Sequence, residues 1–499
     1  MNNTSRKSKS LKNVIIGFIN KTVLLVFAFA MRTVFIRLLG AEYVGISGLF
    51  TNILSLLSIA NLGFDGALNY MLYQAIYTGR DSEIAGVVYY FRRFCIRVAV
   101  LILAIGFIVS IFLPIIVKTE LDMFHVYLYY FLYLFDSVAS YFVVYRTKVI
   151  IADQKQYIQD ICVSVSTIIM YLFQTIYLWV FRDFTGFLVI QVCGTLFKNI
   201  LLDLIARQMY PFISSKPKAI SYSSYDVQFK RHIEGTILVS IGNILVQYSD
   251  NIIISMLLGT TIVGFYSNYK LLTSYIATVI YILKTGIIAS VGNYYAEKGG
   301  TESEELCRKI YRIYALISAF CSGCFFACVQ DFVPIWIGEK FLLDDITVLA
   351  IIILFYVDLC IEPTNIMVNA TGIFKEVRYS TILCAIVNVI LSICLGCSYG
   401  LLGIVIGTII AKLSTILWIV PYELYKNVFR KTSLYFIKEV LIGIIELVGA
   451  MVLAKLTVFS IVGSVLGLMI RVLVIAVYIL TIILIYGICN GGFKRLFLI

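Results

Sequence analysis

The sequence LLGAEYVG, residues 38–45, joins two long apolar segments, Leu11 to Leu39 and Val44 to Tyr73, into a hairpin. A second copy, LLGTTIVG, occurs 219 positions later at residues 257–264, again between two apolar segments. Repetition at this spacing indicates a chain built from two similar halves. Charged residues interrupt the apolar segments around both copies, which is unusual for segments that cross a bilayer.

The composition is that of a polytopic membrane protein. Of 499 residues, 61% are hydrophobic and only 14% are charged, whereas soluble domains have roughly 45–50% and about 25%. The formal net charge is +12, but the basic residues are spread over short loops, so no nucleic-acid partner is expected. The 12 cysteines lack the spacing of a disulfide framework or a zinc site, and no cofactor is predicted.

Windows of about 20 apolar residues predict an all-α integral membrane protein with about fourteen transmembrane helices. Six fall in residues 1–210 and six in residues 229–427, which predicts two pseudo-symmetric six-helix bundles. Residues 211–228 are predicted to form a cytoplasmic linker, and residues 428–499 an additional transmembrane hairpin. In that hairpin Glu446 and Arg471 lie at equal depth, which predicts a structural pair between them.

The Lys and Arg residues of the short loops predict the orientation. With a cytoplasmic N-terminus nearly all of them lie inside, and the outer side holds only Arg37, Lys118, Arg182, Lys340 and Lys455. The C-terminus is then cytoplasmic too. Six spans return the chain to the same side, so the two bundles are expected to face each other across a cavity, as in transporters.

Polar residues inside the spans predict the substrate site, because a charged side chain in the bilayer costs about 2.5–3.5 kcal/mol on insertion scales. Helical spacing places several of them on shared faces. The predicted substrate-binding residues are Lys21, Arg32, Asp65, Asn69, Asn243, Gln247, Asp250, Lys270 and Lys284. Basic residues outnumber acidic ones in this set, so the lining is cationic and suits an anionic ligand such as a diphosphate.

Some of these residues also have a structural interpretation. Asp65 is able to pair with Arg32 or Lys21, and Asp250 with Lys270, as contacts between helices. A further polar stripe, for which gating and bundle contacts are both open, consists of Asp358, Glu362, Asn365 and Asn369. The directions of Lys198 and Lys412 are not determined by the sequence.

Two motifs carry a resemblance to a known family. The run YVGISGLF at residues 43–50, the run NLGFD at residues 61–65 and the arrangement of spans as six, six and two resemble the polysaccharide-repeat flippases. These form the Wzx-type branch of the multidrug/oligosaccharidyl-lipid/polysaccharide exporter superfamily. The resemblance covers nearly the whole chain, but its motifs are diffuse.

The resemblance implies a non-enzymatic protein of the bacterial plasma membrane. Such a protein moves an undecaprenyl-diphosphate-linked oligosaccharide unit to the outer leaflet by alternating access, for capsule, O-antigen or exopolysaccharide assembly. It implies that Lys21, Arg32, Lys270 and Lys284 lie near the lipid diphosphate. Membrane lipid, a polysaccharide polymerase and chain-length proteins are implied partners, and sodium ion and proton are both open as the coupling ion.

Two rival classes fit the sequence less well. A drug/cation antiporter of the same superfamily would have twelve spans and an acidic cavity. A membrane-bound polysaccharide polymerase would have a sizeable outer loop with catalytic residues, but the longest outer connections are short. Nucleotide-binding loops and nucleophile–base sets are not recognisable in the sequence.

Overall fold

The computed structural model describes residues 3–58, 64–214, 237–457 and 465–489. Nearly all of these residues are helical, and no strand occurs among them. The prediction of an all-α membrane fold is therefore confirmed. The predicted linker, residues 211–228, lies mostly outside the described residues.

Contacts divide the chain into two compact units, Met1–Gly264 and Phe265–Ile499. The lobe boundaries at residues 210, 228 and 427 stay a prediction. Unit 1 contains α1 (Asn3–Leu39), α2 (Ala41–Leu57), α3 (Phe64–Thr78), α4 (Asp81–Ile111), α5 (Leu113–Ile116), α6 (Met123–Ala139), α7 (Val144–Ala152), α8 (Gln156–Phe181), α9 (Phe184–Met209) and α10 (Ile237–Leu258).

The boundary between the units falls inside α11 (Thr260–Lys298). The helices that follow in unit 2 are α12 (Gly300–Ile337), α13 (Asp345–Thr371), α14 (Phe374–Ser414), α15 (Ile416–Leu424), α16 (Leu434–Thr457) and α17 (Val465–Cys489). Helix α14 turns at Gly400, whose φ of 60° interrupts it. This is the position where the sequence predicts the boundary between two spans.

By length and apolar composition, nine helices of the described residues are candidate membrane spans, or eleven if each of two bent pairs counts as one span. The bends are 49° at the end of α6 and 42° within α11. The predicted number of about fourteen exceeds these candidates; the stretch Phe374–Phe429, which turns at Gly400, counts as one of the nine.

The repeated turn has the same geometry in both copies. Gly40 and Gly259 have φ values of 90° and 96°, in the region that favours glycine, and each precedes a helix. The two helix starts also touch: a Cβ on Gly45 would lie 1.8 Å from the carbonyl oxygen of Thr260, and one on Gly264 would lie 2.0 Å from that of Ala41. The internal repeat is therefore visible as a reciprocal backbone contact within unit 1.

The charges of the last hairpin pair with α12, and the predicted Glu446–Arg471 pair is wrong. Glu446 of α16 accepts a hydrogen bond from Arg312, whereas Arg471 of α17 pairs with Asp331 and donates to the carbonyl oxygen of Ala327 at 2.9 Å. Equal depth on neighbouring helices did not make them partners, because both helices pack on α12. One buried and one partly buried ion pair thus join the hairpin to α12.

Candidate functional site

The first predicted cation, Lys21, is exposed on α1. Helix α1 packs along α8, and the ammonium group acts electrostatically on the carboxylate of Asp160 in α8. Lys21 is therefore an exposed cation of unit 1 with an acidic neighbour on α8.

Arg32, three turns further along α1, is half-buried in a polar cluster. Its guanidinium lies 5.9 Å from the ring centroid of Phe35. Both Arg32 and Asp136 act electrostatically on Tyr133 of α6, whose hydroxyl donates to Ser47 Oγ of α2 at 2.7 Å. Three helices of unit 1 thus converge around the Arg32 side chain.

Sequence reasoning missed the acidic member of this cluster, Asp136. Gln191 of α9 donates to Asp136 Oδ2 at 2.9 Å, and Lys198, whose direction the sequence left open, acts electrostatically on the same carboxylate. The signal was present, because an acidic residue within an apolar span is by default a candidate functional residue.

The other predicted residues of unit 1 occupy different environments. Asn243 and Gln247 are exposed on α10, whereas Asp250 is only 6% exposed. Asn69 of α3 is half-buried, and its Oδ1 atom has no hydrogen-bond partner among the described residues. The side chain of Asp65 lies outside the described residues, as does all of Asn61.

In unit 2 the structure pairs two basic residues with the polar stripe of α13. Lys284 of α11 forms an ion pair with Glu362, and Lys412 of α14 forms one with Asp358. Lys284 also lies 5.5 Å from the centroid of the Tyr281 ring. The sequence predicts more basic residues than acidic partners in this lining, but Lys284 has an acidic partner, Glu362, which neutralises its charge. Lys270 is half-buried on α11.

This pairing predicts a stability effect for Lys284→Ala and Glu362→Ala. The two side chains are 22% and 9% exposed, and removal of one partner from a buried pair costs about 3–5 kcal/mol. We expect each variant to lower the thermal unfolding temperature of the purified protein, and the charge-swapped double variant to recover much of the loss.

The matched control lies on the same helix. Lys298 pairs with Glu297, and both side chains are exposed, so Lys298→Ala should change stability by at most about 1 kcal/mol. Equal unfolding temperatures for Lys284→Ala and Lys298→Ala would contradict the buried pair.

A hydrogen-bonded cluster lies beside the repeated turns of unit 1. The carboxylate of Glu42 accepts hydrogen bonds from the hydroxyl of Thr119, the backbone N–H of Glu120 at 3.0 Å and the hydroxyl of Thr260 at 3.4 Å. The backbone N–H of Thr260 donates to the carbonyl oxygen of Lys118 at 2.9 Å. This Glu42 cluster ties the loop after α5 to the starts of α2 and α11.

The fold is similar to those of solved transporters. It matches the lipid II flippase MurJ in its inward closed conformation with a TM-score of 0.67 and 13% identity, over 95% of this chain and 98% of that chain. It matches an inward-facing multidrug resistance MATE family transporter of the MOP superfamily with a TM-score of 0.58 and 16% identity, over 83% and 99%. It matches a variant of the Vibrio cholerae MATE transporter VcmN with a TM-score of 0.59 and 14% identity, over 86% of this chain and 100% of that chain.

These likenesses define the fold. The chain is a multi-pass membrane protein with the fold of MOP-superfamily transporters. No family model matches the sequence, and no curated protein matches it. Among the described residues, no group of three or more His, Cys, Asp or Glu side chains is placed to hold a metal ion.

Proposed function

We propose that this protein is a flippase that moves an undecaprenyl-diphosphate-linked oligosaccharide unit from the inner to the outer leaflet of the bacterial plasma membrane. The unit then enters assembly of a surface polysaccharide, and transport proceeds by alternating access. Both termini are proposed to be cytoplasmic.

The extent of the structural likeness carries this proposal. The lipid II flippase is matched over 95% of this chain, whereas the two MATE transporters are matched over 83% and 86%. The difference between the share of this chain matched by the flippase and the shares matched by the MATE transporters is close to the share of the chain that α16 and α17 occupy. An additional helix pair supports a lipid-linked substrate over a small drug.

The charges of the described residues support an anionic head group. Lys21 is exposed and Arg32 is half-buried, and both lie on α1 within the candidate membrane span Ile19–Leu39. Guanidinium and ammonium groups hold phosphate oxygens through charge-assisted hydrogen bonds. We assign the diphosphate contacts to Lys21, Arg32 and Lys270, and we give Lys284 a supporting role because Glu362 neutralises it.

The amide side chains are proposed to contact sugar. Asn243 and Gln247 are exposed on α10 and offer both donors and acceptors, and the buried acceptor atom of Asn69 fits the same use. Asp65 and Asp250 remain proposed members of the polar lining.

A flipping assay tests the function. We expect the purified protein in liposomes to move a fluorescent polyprenyl-diphosphate oligosaccharide between leaflets, so that externally added glycosidase or quencher reaches more of it with time. The alternative, an ion-coupled drug/cation antiporter, predicts accumulation of a cationic dye under an ion gradient instead. Dye transport without lipid flipping would overturn the flippase proposal.

A further inference from the structure

A small cavity lies inside unit 2, where α12, α13 and α16 come together. Its volume is about 20 Å³, which is enough for one water molecule. The lining is mostly apolar, with a few hydroxyl, thiol and carboxyl groups. The lining includes Tyr311, Tyr314, Tyr356, Cys360, Pro363 and Glu439. None of these side chains belongs to the proposed substrate contacts.

Three polar atoms of the lining are buried without a hydrogen-bond partner of nitrogen or oxygen among the described residues. They are the hydroxyls of Tyr314 and Tyr356 and the Oε2 atom of Glu439. Tyr314 is 2% exposed and Tyr356 is 5% exposed, so bulk water does not reach them; the thiol of Cys360 beside Tyr356 is a weak partner. A buried water with about three hydrogen bonds is the usual solution for such groups.

Glu439 is half-buried, and it lies close to a buried ion pair. Glu446, two turns further along α16, pairs with Arg312 of α12, and both side chains are 6% exposed. Arg312 acts electrostatically on Glu439 as well, and the two carboxylates act on each other. One guanidinium therefore faces two carboxylates, which leaves one negative charge in excess when both are ionised.

The other cations near Glu439 face solvent. Arg308 acts on Glu439, but it shares Glu304 with Lys431, and the two basic side chains are 38% and 40% exposed. Lys438 is exposed. Solvent screens such charges more than it screens the buried Arg312. Among the described residues, the thiol of Cys360 and several tyrosine hydroxyls also lie near the two carboxylates; the tyrosines are Tyr311, Tyr314, Tyr356, Tyr425 and Tyr478.

We propose that Glu439 is a proton-binding site. One proton on Glu439 removes the excess negative charge of Glu439, Glu446 and Arg312, and one water in the cavity forms a hydrogen bond with the Glu439 carboxyl group. Protonated Glu439 donates its hydrogen bond to the water and leaves Glu446 and Arg312 as a neutral pair. When the proton leaves, the water donates to the carboxylate, and its oxygen accepts from Tyr314 or Tyr356. We also infer that the proton bound at Glu439 is the ion whose gradient drives flipping, and this part of the inference rests on the proposed function.

Infrared spectra of the purified full-length protein in nanodiscs, recorded over a pH series, test the site without any substrate. We expect a carboxyl carbonyl band that converts to carboxylate as the pH rises. The band should be absent from Glu439→Gln and retained in Glu305→Gln, whose side chain is exposed on α12. Persistence in Glu439→Gln of the band with the same frequency and the same titration midpoint overturns the proposal.

A second variant keeps the test valid if Glu439→Gln does not fold. Gly443→Ala leaves Glu439 in place but sets a Cβ 2.6 Å from the Tyr356 hydroxyl, so it crowds the cavity. We expect the midpoint of the same band to shift by about one pH unit. An unshifted midpoint overturns the proposal, and so does a carboxylate band that responds to Na⁺ at constant pH but not to pH.

A transport measurement separates this inference from the proposed function. In proteoliposomes, flipping by the unmodified protein and by Glu305→Gln should respond to a proton gradient, whereas Glu439→Gln should flip without responding. If the unmodified protein flips no lipid-linked oligosaccharide, the proposed function fails, and the infrared titration still decides the proton site.

Discussion

Arg32→Ala is expected to lower the rate of lipid-linked oligosaccharide flipping by about 10- to 100-fold. A hydrogen bond to a charged group contributes roughly 1.5–3 kcal/mol, and this range corresponds to that fold-change. Arg32 lies on α1 beside Phe35, with Tyr133 close by, and under the proposed function these neighbours hold its guanidinium in place for a phosphate group. The flipping assay in liposomes measures the effect.

Two comparisons give this result its meaning. Arg32→Lys keeps the charge but loses the bidentate geometry, so it should fall between the unmodified protein and Arg32→Ala. Arg97→Ala removes an exposed cation of α4 in the same unit and should leave the rate unchanged. Equal flipping by all three variants, with equal thermal stability, would remove Arg32 from the site.

The sequence was sufficient to predict the repeat, because its signal is local. Gly40 and Gly259 each lie between two apolar segments, and both adopt the positive φ that such a turn requires. Gly400 was predictable as a break between spans for the same reason. Backbone geometry of this kind depends on a few adjacent residues, so one sequence contains enough information for it.

The pairing of charges was not predictable, because helical periodicity determines the face of a helix but not the helix that it faces. The sequence identified Lys284 as a residue that cannot face lipid, placed Glu362 in a polar stripe of its span and left the direction of Lys412 open. It did not show that Lys284 meets Glu362 across 78 positions. Asp136 was missed although its residue type was informative and although Tyr133 and Ser140 lie three residues before it and four residues after it.

Gly45→Ala and Gly264→Ala are expected to disrupt unit 1 at the repeated turns. Each added Cβ would lie 1.8 or 2.0 Å from a backbone carbonyl oxygen of the facing helix start, so side-chain rotation cannot relieve the clash and the backbones must separate. Overpacking costs typically 1–3 kcal/mol, and a clash with backbone belongs at the upper end of that range. We expect lower thermal stability and faster amide hydrogen exchange at the backbone N–H of Thr260, which donates to Lys118.

Gly286→Ala is the matched control, since it adds the same methyl group to α11 where nothing lies within 4 Å, and alanine is favoured over glycine inside a helix by roughly 0.5–1 kcal/mol. It should therefore keep or raise stability. If Gly45→Ala behaves like Gly286→Ala in both measurements, the two helix starts do not approach as closely as described. If amide hydrogen exchange at Thr260 becomes faster but the thermal stability does not change, the contact between the two helix starts holds the Glu42 cluster in place. The cluster then contributes little to the stability of unit 1. If Gly45→Ala and Gly264→Ala both lose thermal stability and both exchange faster at Thr260, the two turns stabilise each other. Each copy of the repeat then requires the glycine of the other copy.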